Sequence, residues 1–458
     1  MLLHIVILAA GVGKRMHSKT PKILHRVGGI PMFEHVVRTA RSFAPEAIHV
    51  IIGHEAAQIR GAFSDLDVNW IEQSKQLGTG HAVLQALPHI PPDATVLVLY
   101  ADTPLIQSTT IKPLIDRCMQ SHSLGLLLAT LANPFGLGRI ERDADHQVCA
   151  IIEEKDATES QRKIQEIYTG ICCAKAADLN RWLPNLNNNN AQQEFYLTEI
   201  IAMAVQDSIP IFSLEAADHV DIQGVNDRVQ LQCVERAYQR RMTHQLMLAG
   251  VTFADAERVD IRGELHCGQD VFIDANTVFV GTNTLGDGCI IEPNCLLTNV
   301  TLGKNCSILA NSVLENCVIE DNCRVGPFSR IRPGTHLASD CHVGNFVEVK
   351  NTQFGQGSKA NHLSYLGDAT LGSHVNIGAG TITCNYDGAN KHRTTIEDDV
   401  HIGSDTQLVA PVTVGQGATI GAGSTIRRNV PPGELTLTTS TQKTITGWKR
   451  PVKATDST

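Results

Sequence analysis

In the second half of this chain, from about residue 251, an aliphatic or aromatic side chain returns at every sixth position. Ile273, Phe279, Leu285, Ile291 and Leu297 form one run. Ile319, Val325, Ile331, Leu337, Val343 and Val349 form a second, and Ile396, Ile402, Leu408, Val414, Ile420 and Ile426 a third. An α-helix repeats every 3.6 residues and a half-buried strand every two, so neither produces this pattern. A solenoid of short strands and corners does, with one large inward side chain per strand and three hexads per triangular turn. Glycine follows the aliphatic residue at Leu285, Leu302, Val325, Val343, Leu366, Leu371, Ile377, Ile402, Val414 and Ile420. The span predicts roughly nine or ten turns, a stack of about 45 Å at the usual strand spacing. Cys289, Cys295, Cys306, Cys323 and Cys341 each stand four residues after a periodic aliphatic, where Ala418 and Ser424 stand elsewhere. That is the place of a small side chain packed inside a narrow coil; a metal site or reactive thiol is the alternative.

The first half, to about residue 226, has a different pattern. Short apolar runs at Ile5–Ala10, Ile48–Gly53 and Val96–Tyr100 alternate with helical stretches such as Met32–Phe43 and His81–Leu87. This alternation predicts an α/β sheet whose ligands bind at the carboxyl ends of the strands. Asp227 to Gly250 reads as one helix, with Leu231, Val234, Tyr238, Met242 and Leu246 at helical spacing and Gly250 as its stop. The organisation expected is therefore residues 1–226, a helical linker over 227–250, and a repeat domain over 251–458.

Of the 458 residues 42% are hydrophobic and 19% charged, enough for sizeable cores. The formal charge of -9 argues against a sequence-independent nucleic-acid or membrane-surface binder. Thirteen cysteines, an odd number in a long chain, predict reduced thiols and a cytoplasmic setting. The apolar start Leu2–Ala10 lacks a charged leader and runs into Gly-Val-Gly-Lys-Arg, which suits a buried strand better than a signal peptide. With no apolar run of about 18 residues, no membrane span is expected.

Chemistry gathers first behind the opening strand, in Leu8-Ala9-Ala10-Gly11-Val12-Gly13-Lys14-Arg15-Met16 followed by Pro21-Lys22. Gly11 and Gly13 let backbone N–H groups approach a phosphate, and Arg15 and Lys22 add positive charge. The stretch is neither a P-loop nor a dinucleotide fingerprint, and alone it could be a simple tight turn. Gln73, with Gly78 and Thr79, carries an amide able to read a pyrimidine edge. Asp102 follows the strand Val96–Tyr100, where a carboxylate can hold Mg²⁺ or cap a helix. Asn226, ahead of the long helix, fits either a ligand or a cap.

Together these residues resemble the sugar-1-phosphate nucleotidylyltransferases. With the hexad-repeat half, the resemblance narrows to the bifunctional bacterial N-acetylglucosamine-1-phosphate uridyltransferase/glucosamine-1-phosphate acetyltransferase family and covers nearly the whole chain. It implies an α/β, Rossmann-like nucleotidyltransferase domain followed by a left-handed parallel β-helix. It implies a uridyl site lined by Leu8, Ala9, Ala10, Gly11, Lys22, Gln73, Gly78, Thr79, Tyr100, Ala101, Asp102, Gly138, Glu153, Tyr168 and Asn226. Arg15 and Lys22 would act on the phosphates, and Asp102 and Asn226 would hold Mg²⁺. Ala101 stands where the family usually has glycine, and Tyr168 where it usually has a sugar-contacting asparagine.

In the repeat half, Arg330-Ile331-Arg332, Val347-Glu348-Val349-Lys350, His362-Leu363-Ser364-Tyr365 and Thr383-Cys384-Asn385-Tyr386 put polar groups on or beside corners. Acetyl transfer to an amine needs a base near neutral pKa, which suits His362. A sugar phosphate needs cationic anchors, which Arg332 and Lys350 offer. By the resemblance, Arg332, Lys350, Tyr365, Asn376 and Asn385 bind the sugar phosphate, and Tyr386 abuts the acetyl-coenzyme A groove. Ala379, Ser404 and Ala422 line the acetyl-coenzyme A groove. Thr439 stands where the family places a basic residue, leaving Lys443, Lys449 or Arg450 for the coenzyme phosphates. The family also implies homotrimers with sites between subunits.

The function expected is acetylation of glucosamine 1-phosphate by acetyl-coenzyme A, then uridyl transfer from UTP to N-acetylglucosamine 1-phosphate. A nucleotidylyltransferase with a passive solenoid is the alternative, and His362 with Asn385-Tyr386 speaks against it. A non-catalytic scaffold would be expected to lack Arg15, Lys22 or Asp102.

Overall fold

The computed structural model describes residues 2–11, 13–53 and 55–451. Contacts divide the chain into two units, Met1–Met242 and Thr243–Thr458.

The first unit is built on strands β1 (Leu3–Leu8), β2 (Ala47–Ile52), β3 (Asn69–Glu72), β4 (Thr95–Tyr100), β5 (Leu124–Thr130), β6 (Arg139–Arg142), β7 (Val148–Ile152), β8 (Glu166–Lys175) and β9 (Ile211–Glu215). Their order is β9-β5-β8-β4-β1-β2-β3, with β6 and β7 a hairpin beside β8. The ladder is parallel except at β8, which runs antiparallel to β4 and β5. Helices α1 (Met32–Arg41), α2 (Thr79–Ala86) and α3 (Ser108–Gln120) pack on it. Both faces of the central strands are covered: Ile5, Ile7, Leu97 and Leu99 enter one core, and Val6, Val96 and Val98 the other. Two covered faces leave no polar side to the strand, which is why these strands read as unbroken apolar runs.

The long helix α4 (Arg228–Leu248) forms where it was expected. Its N-terminal part is no free tether, because Leu231, Val234 and Tyr238 pack with Met16, Val27, Met32, Leu105 and Val225. Arg241 adds an ion pair of 2.6 Å to the buried Asp221 and a hydrogen bond of 2.9 Å to the Leu105 carbonyl. Among the described residues no helix is long and apolar enough to cross a membrane.

The second unit is a parallel stack of short strands. One face carries eleven rungs, from Thr252–Phe253 to Leu435–Thr436, against the nine or ten turns expected. Every hexad aliphatic named above is buried. The coils are not uniformly three hexads long. Register pairs Ile291 with Ile308, Ile308 with Val325, and Val325 with Val343, steps of 17, 17 and 18 residues. Each short coil drops one residue, which is why the periodic runs break phase between Leu297 and Ile319. Cys289, Cys295, Cys306, Cys323 and Cys341 are all buried and unpaired. Burial pushes the Cys295 thiol up to about 11 and that of Cys317, also inside the coil, up to about 12, so both stay protonated and serve as packing.

The corners need backbone in the left-handed region, and asparagine supplies much of it. Asn276, Asn294 and Asn311 line one edge; Asn299, Asn316 and Asn351 another; Asn305 and Asn322 the third, all at positive φ. Asparagine tolerates that conformation and passes amide hydrogen bonds from coil to coil, as from Asn299 to Asn316 at 3.1 Å.

Candidate active sites

At the carboxyl ends of β1 and β4 the sheet opens into a cleft of about 340 Å³. Leu8, Ala9, Ala10 and Gly11 form one wall, Gln73, Gly78 and Thr79 another, and Lys22, Tyr100 and Asp102 the floor. Two glycines are required by geometry. Gly13 sits at φ 61 with its Cα turned to Lys22, where a β-carbon would come within 2.8 Å of the Lys22 Cβ. Gly78 sits at φ 117 against the Phe195 backbone, 2.6 Å from where a β-carbon would lie. Val12 of the same loop lies outside the described residues.

The Lys22 ammonium hydrogen bonds to both Asp102 Oδ2 and, at 3.1 Å, Asn226 Oδ1. One cationic atom thus reaches a carboxylate and a carboxamide oxygen from distant segments. An all-oxygen pair of this kind suits Mg²⁺, which keeps several waters and takes other ligands from substrate phosphates. The residues therefore fit the ion the sequence pointed to. Arg15 lies exposed on the turn Lys14–Met16, outside the cleft lining.

Gln73 is buried, and its Nε2 donates to the Gly78 carbonyl at 3.2 Å and to His81 Nδ1 at 2.8 Å. Burial holds His81 below its usual pKa, which favours the neutral ring that accepts this bond. The side-chain Oε1 of Gln73 remains as an acceptor, while its main-chain carbonyl accepts from Gln76 Nε2 at 3.2 Å. Ala101 is buried beneath the cleft, and its N–H donates to the Leu8 carbonyl at 3.0 Å.

Gly138, Glu153 and Tyr168 do not line that cleft but meet one another beside Tyr100. The Tyr168 N–H donates to the Gly138 carbonyl at 3.0 Å, and a β-carbon on Gly138 would stand 3.7 Å from the Glu153 carboxylate. The Tyr168 hydroxyl turns back to the Gly170 carbonyl at 2.8 Å. Burial raises the Glu153 pKa against the opposing hydrogen bond from Thr198, and Asp156 and Glu194 raise it further. Burial likewise pushes both tyrosines above their usual value. Sequence reasoning missed Ile23, Gln76, Ala82 and Glu194 in the cleft wall. Gln76 lay inside the Gln73–Gly78 motif and could have been found; nothing in sequence marks Glu194.

On the rod, His362 ends the strand Lys359–His362 and is exposed. It stands opposite Asn345 of the preceding coil, with Nδ1 3.2 Å from Asn345 Oδ1. A protonated Nδ1 donates this bond, which leaves Nε2 with a free lone pair. Asn345 was not anticipated; its place one coil before His362 was the available signal. Along the same corner His362, Ala379 and Ser404 accept in turn from the N–H groups of Gly380, Asp405 and Gly423, so Ala422 continues the column. Small side chains thus follow the imidazole coil by coil.

Around the next corner Glu348 stacks on Tyr365, and Lys350 on Gly367. Arg332 Nη1 donates to Glu348 Oε1 at 2.7 Å, which raises the Arg332 pKa. Asn385 is buried beside Gly367. Asn376 is exposed on the strand stacked on Lys359, on the other face from Tyr365. Tyr386 projects from the loop that interrupts the repeat, its hydroxyl donating to the Gly388 carbonyl at 2.6 Å. Thr439, Lys443, Lys449 and Arg450 are exposed beyond the last strand.

Comparison with known proteins agrees with both halves. Residues 5–139 match the MobA-like NTP transferase domain, 261–354 the GMPPB C-terminal domain, and 393–428 six repeats of the bacterial transferase hexapeptide. The chain is 62% identical over 458 residues to the "Bifunctional protein GlmU" of Legionella pneumophila strain Corby, covering 99% of each. It is 51% identical over 452 residues to the protein of that name from Marinobacter nauticus, again covering 99% of each. For Nitrosospira multiformis the identity is 52% over 452 residues, with 98% of each covered.

Proposed function

The chain belongs to the family of bifunctional GlmU proteins and is both an acetyltransferase and a uridyltransferase, and from that premise we propose how its residues divide the work. The rod acetylates glucosamine 1-phosphate from acetyl-coenzyme A. The α/β unit then joins N-acetylglucosamine 1-phosphate to UTP, forming UDP-N-acetylglucosamine. The working parts are residues 1–226, the helix over 227–250, and an acetyltransferase domain over 251–458 whose coil is left-handed.

In acetyl transfer the sugar amine attacks the thioester carbonyl. A C–N bond forms, the C–S bond breaks, and coenzyme A leaves as its thiol. His362 Nε2 takes the proton that the amine sheds, and Asn345 holds the ring in the tautomer that can do so. Arg332, Lys350, Tyr365, Asn376 and Asn385 hold the sugar phosphate. Ala379, Ser404 and Ala422 leave room for the coenzyme arm, with Tyr386 beside it and Thr439 toward its phosphates.

In uridyl transfer a phosphate oxygen of the sugar attacks the α-phosphorus of UTP, and pyrophosphate leaves. Ala9 to Gly11 present backbone N–H groups to the phosphates, and Arg15 and Lys22 bring charge. Gln73 and Gly78 read the base, and Gly138, Glu153 and Tyr168 face the sugar. Asp102 and Asn226 would hold Mg²⁺, which supplies neutralisation of phosphate charge when bound.

The observation that carries this reading is the cleft itself, where segments around residues 8–11, 22, 73–79 and 100–102 meet at the strand ends. Feeding the pure protein glucosamine 1-phosphate, UTP, acetyl-coenzyme A and Mg²⁺, and omitting one at a time, tests it. UDP-N-acetylglucosamine should form only when all four are present; formation without acetyl-coenzyme A contradicts the acetyl half.

Assembly as a homotrimer is supported by one edge of the rod. There Phe328, Phe346 and Leu363 replace asparagine at left-handed corners, exposed by 49%, 56% and 64%, and the two rings stack at 5.4 Å. Bulky apolar groups in water at strained corners suit burial against another copy. Phe346 follows Asn345 and Leu363 follows His362, so that edge adjoins the proposed base. Thirteen free cysteines support a reducing, cytoplasmic setting.

A further inference from the structure

One buried carboxylate beside the sugar-phosphate residues has no role in the scheme above. Asp368 is only 8% exposed, sits at φ 50 on a corner of the rod, and accepts hydrogen bonds of 2.6 Å from both Asn351 Nδ2 and Asn385 Nδ2. Elsewhere on that edge the corner passes from amide to amide without charge, as Asn299 does to Asn316. Asp368 breaks the series with an anion. Burial alone would raise its pKa, but the two amides, Lys350 and Lys391 outweigh burial and keep it ionised.

The charge has a use nearby. The Asp368 N–H donates to the Lys350 carbonyl at 3.0 Å, and the Asn385 amide that Asp368 holds lies beside Gly367, which stacks on Lys350. Glu348, the next carboxylate along the strands, is already paired with Arg332.

We infer that Asp368 is a positioning residue of the acetyl site, fixing the Asn385 carboxamide beside Lys350 where the sugar phosphate docks. This rests on the assignment of Lys350 and Asn385 to that phosphate. Asparagine here keeps one acceptor oxygen but turns an NH2 donor toward the Nδ2 of one of its two partners, so the two bonds cannot both stand as they are.

The test compares D368N, N351A and K350A in the full chain. D368N should fold, since asparagine already occupies this corner at positive φ in Asn299, Asn316 and Asn351. It should raise the KM for glucosamine 1-phosphate about tenfold, with kcat and the KM for acetyl-coenzyme A within about twofold. N351A breaks the other bond to the same carboxylate and should leave that KM within about twofold. If D368N leaves KM unchanged or lowers it, or if N351A raises it equally, the inference is overturned. If K350A leaves KM unchanged, the assignment of the phosphate site falls instead.

Discussion

His362 Nδ1 lies 3.2 Å from Asn345 Oδ1 on the preceding coil, so the corner that presents the imidazole also sets its tautomer. A positioned base is typically worth about 10² to 10⁴ in rate. His362→Ala should slow acetyl transfer by roughly that factor near pH 7. Uridyl transfer from supplied N-acetylglucosamine 1-phosphate should keep its rate, and the loss should shrink at alkaline pH as free amine accumulates. Steady-state rates of each half-reaction decide this; a folded variant acetylating at the normal rate would show that His362 is not the base.

Asp102→Ala removes the carboxylate that pairs with Lys22 beside Asn226. Uridyl transfer should fall below detection at ordinary Mg²⁺ concentrations, while acetyl transfer stays within about twofold. Equal loss of both would contradict the division of labour.

Helix α4 decides where the chain can be cut. A fragment of residues 1–250 keeps Val234, Tyr238 and the Arg241–Asp221 pair, and should transfer uridyl groups. A 1–226 fragment exposes the cluster around Met16, Val27 and Met32 and leaves Asp221 without that partner. Breaking a buried pair costs about 3 kcal/mol or more, so the shorter fragment should unfold at a lower temperature. Calorimetry on both fragments checks it; equal melting would show that the helix adds nothing.

His4 and His49 stack on adjacent strands, joined by a 3.0 Å N···N hydrogen bond and both buried. Burial lowers both pKa values, that of His49 to about 4, with His4 and then His89 adding to the fall. The folded state therefore favours neutral rings, whereas the unfolded chain protonates them near 6.5. Their stabilisation is complete above pH 6.5 and is lost as pH falls from there toward 4. At about 1.4 kcal/mol per pH unit, the loss is at most about 3.5 kcal/mol for His49. Denaturant midpoints of the 1–250 fragment at pH 7.5 and 5 measure it. His49→Gln should flatten the difference, and an unchanged slope in that variant would place the effect elsewhere.

Much of the site could be read from local sequence because its parts sit at strand ends. Leu8 to Gly11 and Tyr100 to Asp102 each end a buried strand, and a parallel sheet turns such segments toward one edge. Gly78 and Thr79 start α2, where a helix must begin after a glycine held at positive φ. What escaped was anything defined by a partner far along the chain. Glu194 enters the cleft from a loop with no pattern of its own, and Asn345 acquires meaning only when the next coil sets His362 against it. The asparagine corners were visible as a spacing of 17 or 18 residues, but the period of six drew attention to the buried positions instead.

The amino-acid order alone determined the two architectures, since a six-residue period admits only a stacked coil and unbroken apolar runs between helices admit only a doubly covered sheet. Tertiary structure decided the chemistry within them. It set the Lys22 ammonium on oxygens from residues 102 and 226 and gathered Lys350, Asp368 and Asn385 around one corner. The reason is physical: backbone periodicity depends on neighbours a few positions apart, which a sequence displays directly. Charge pairing and hydrogen bonding depend on distances in space, and those exist only once the chain has closed on itself.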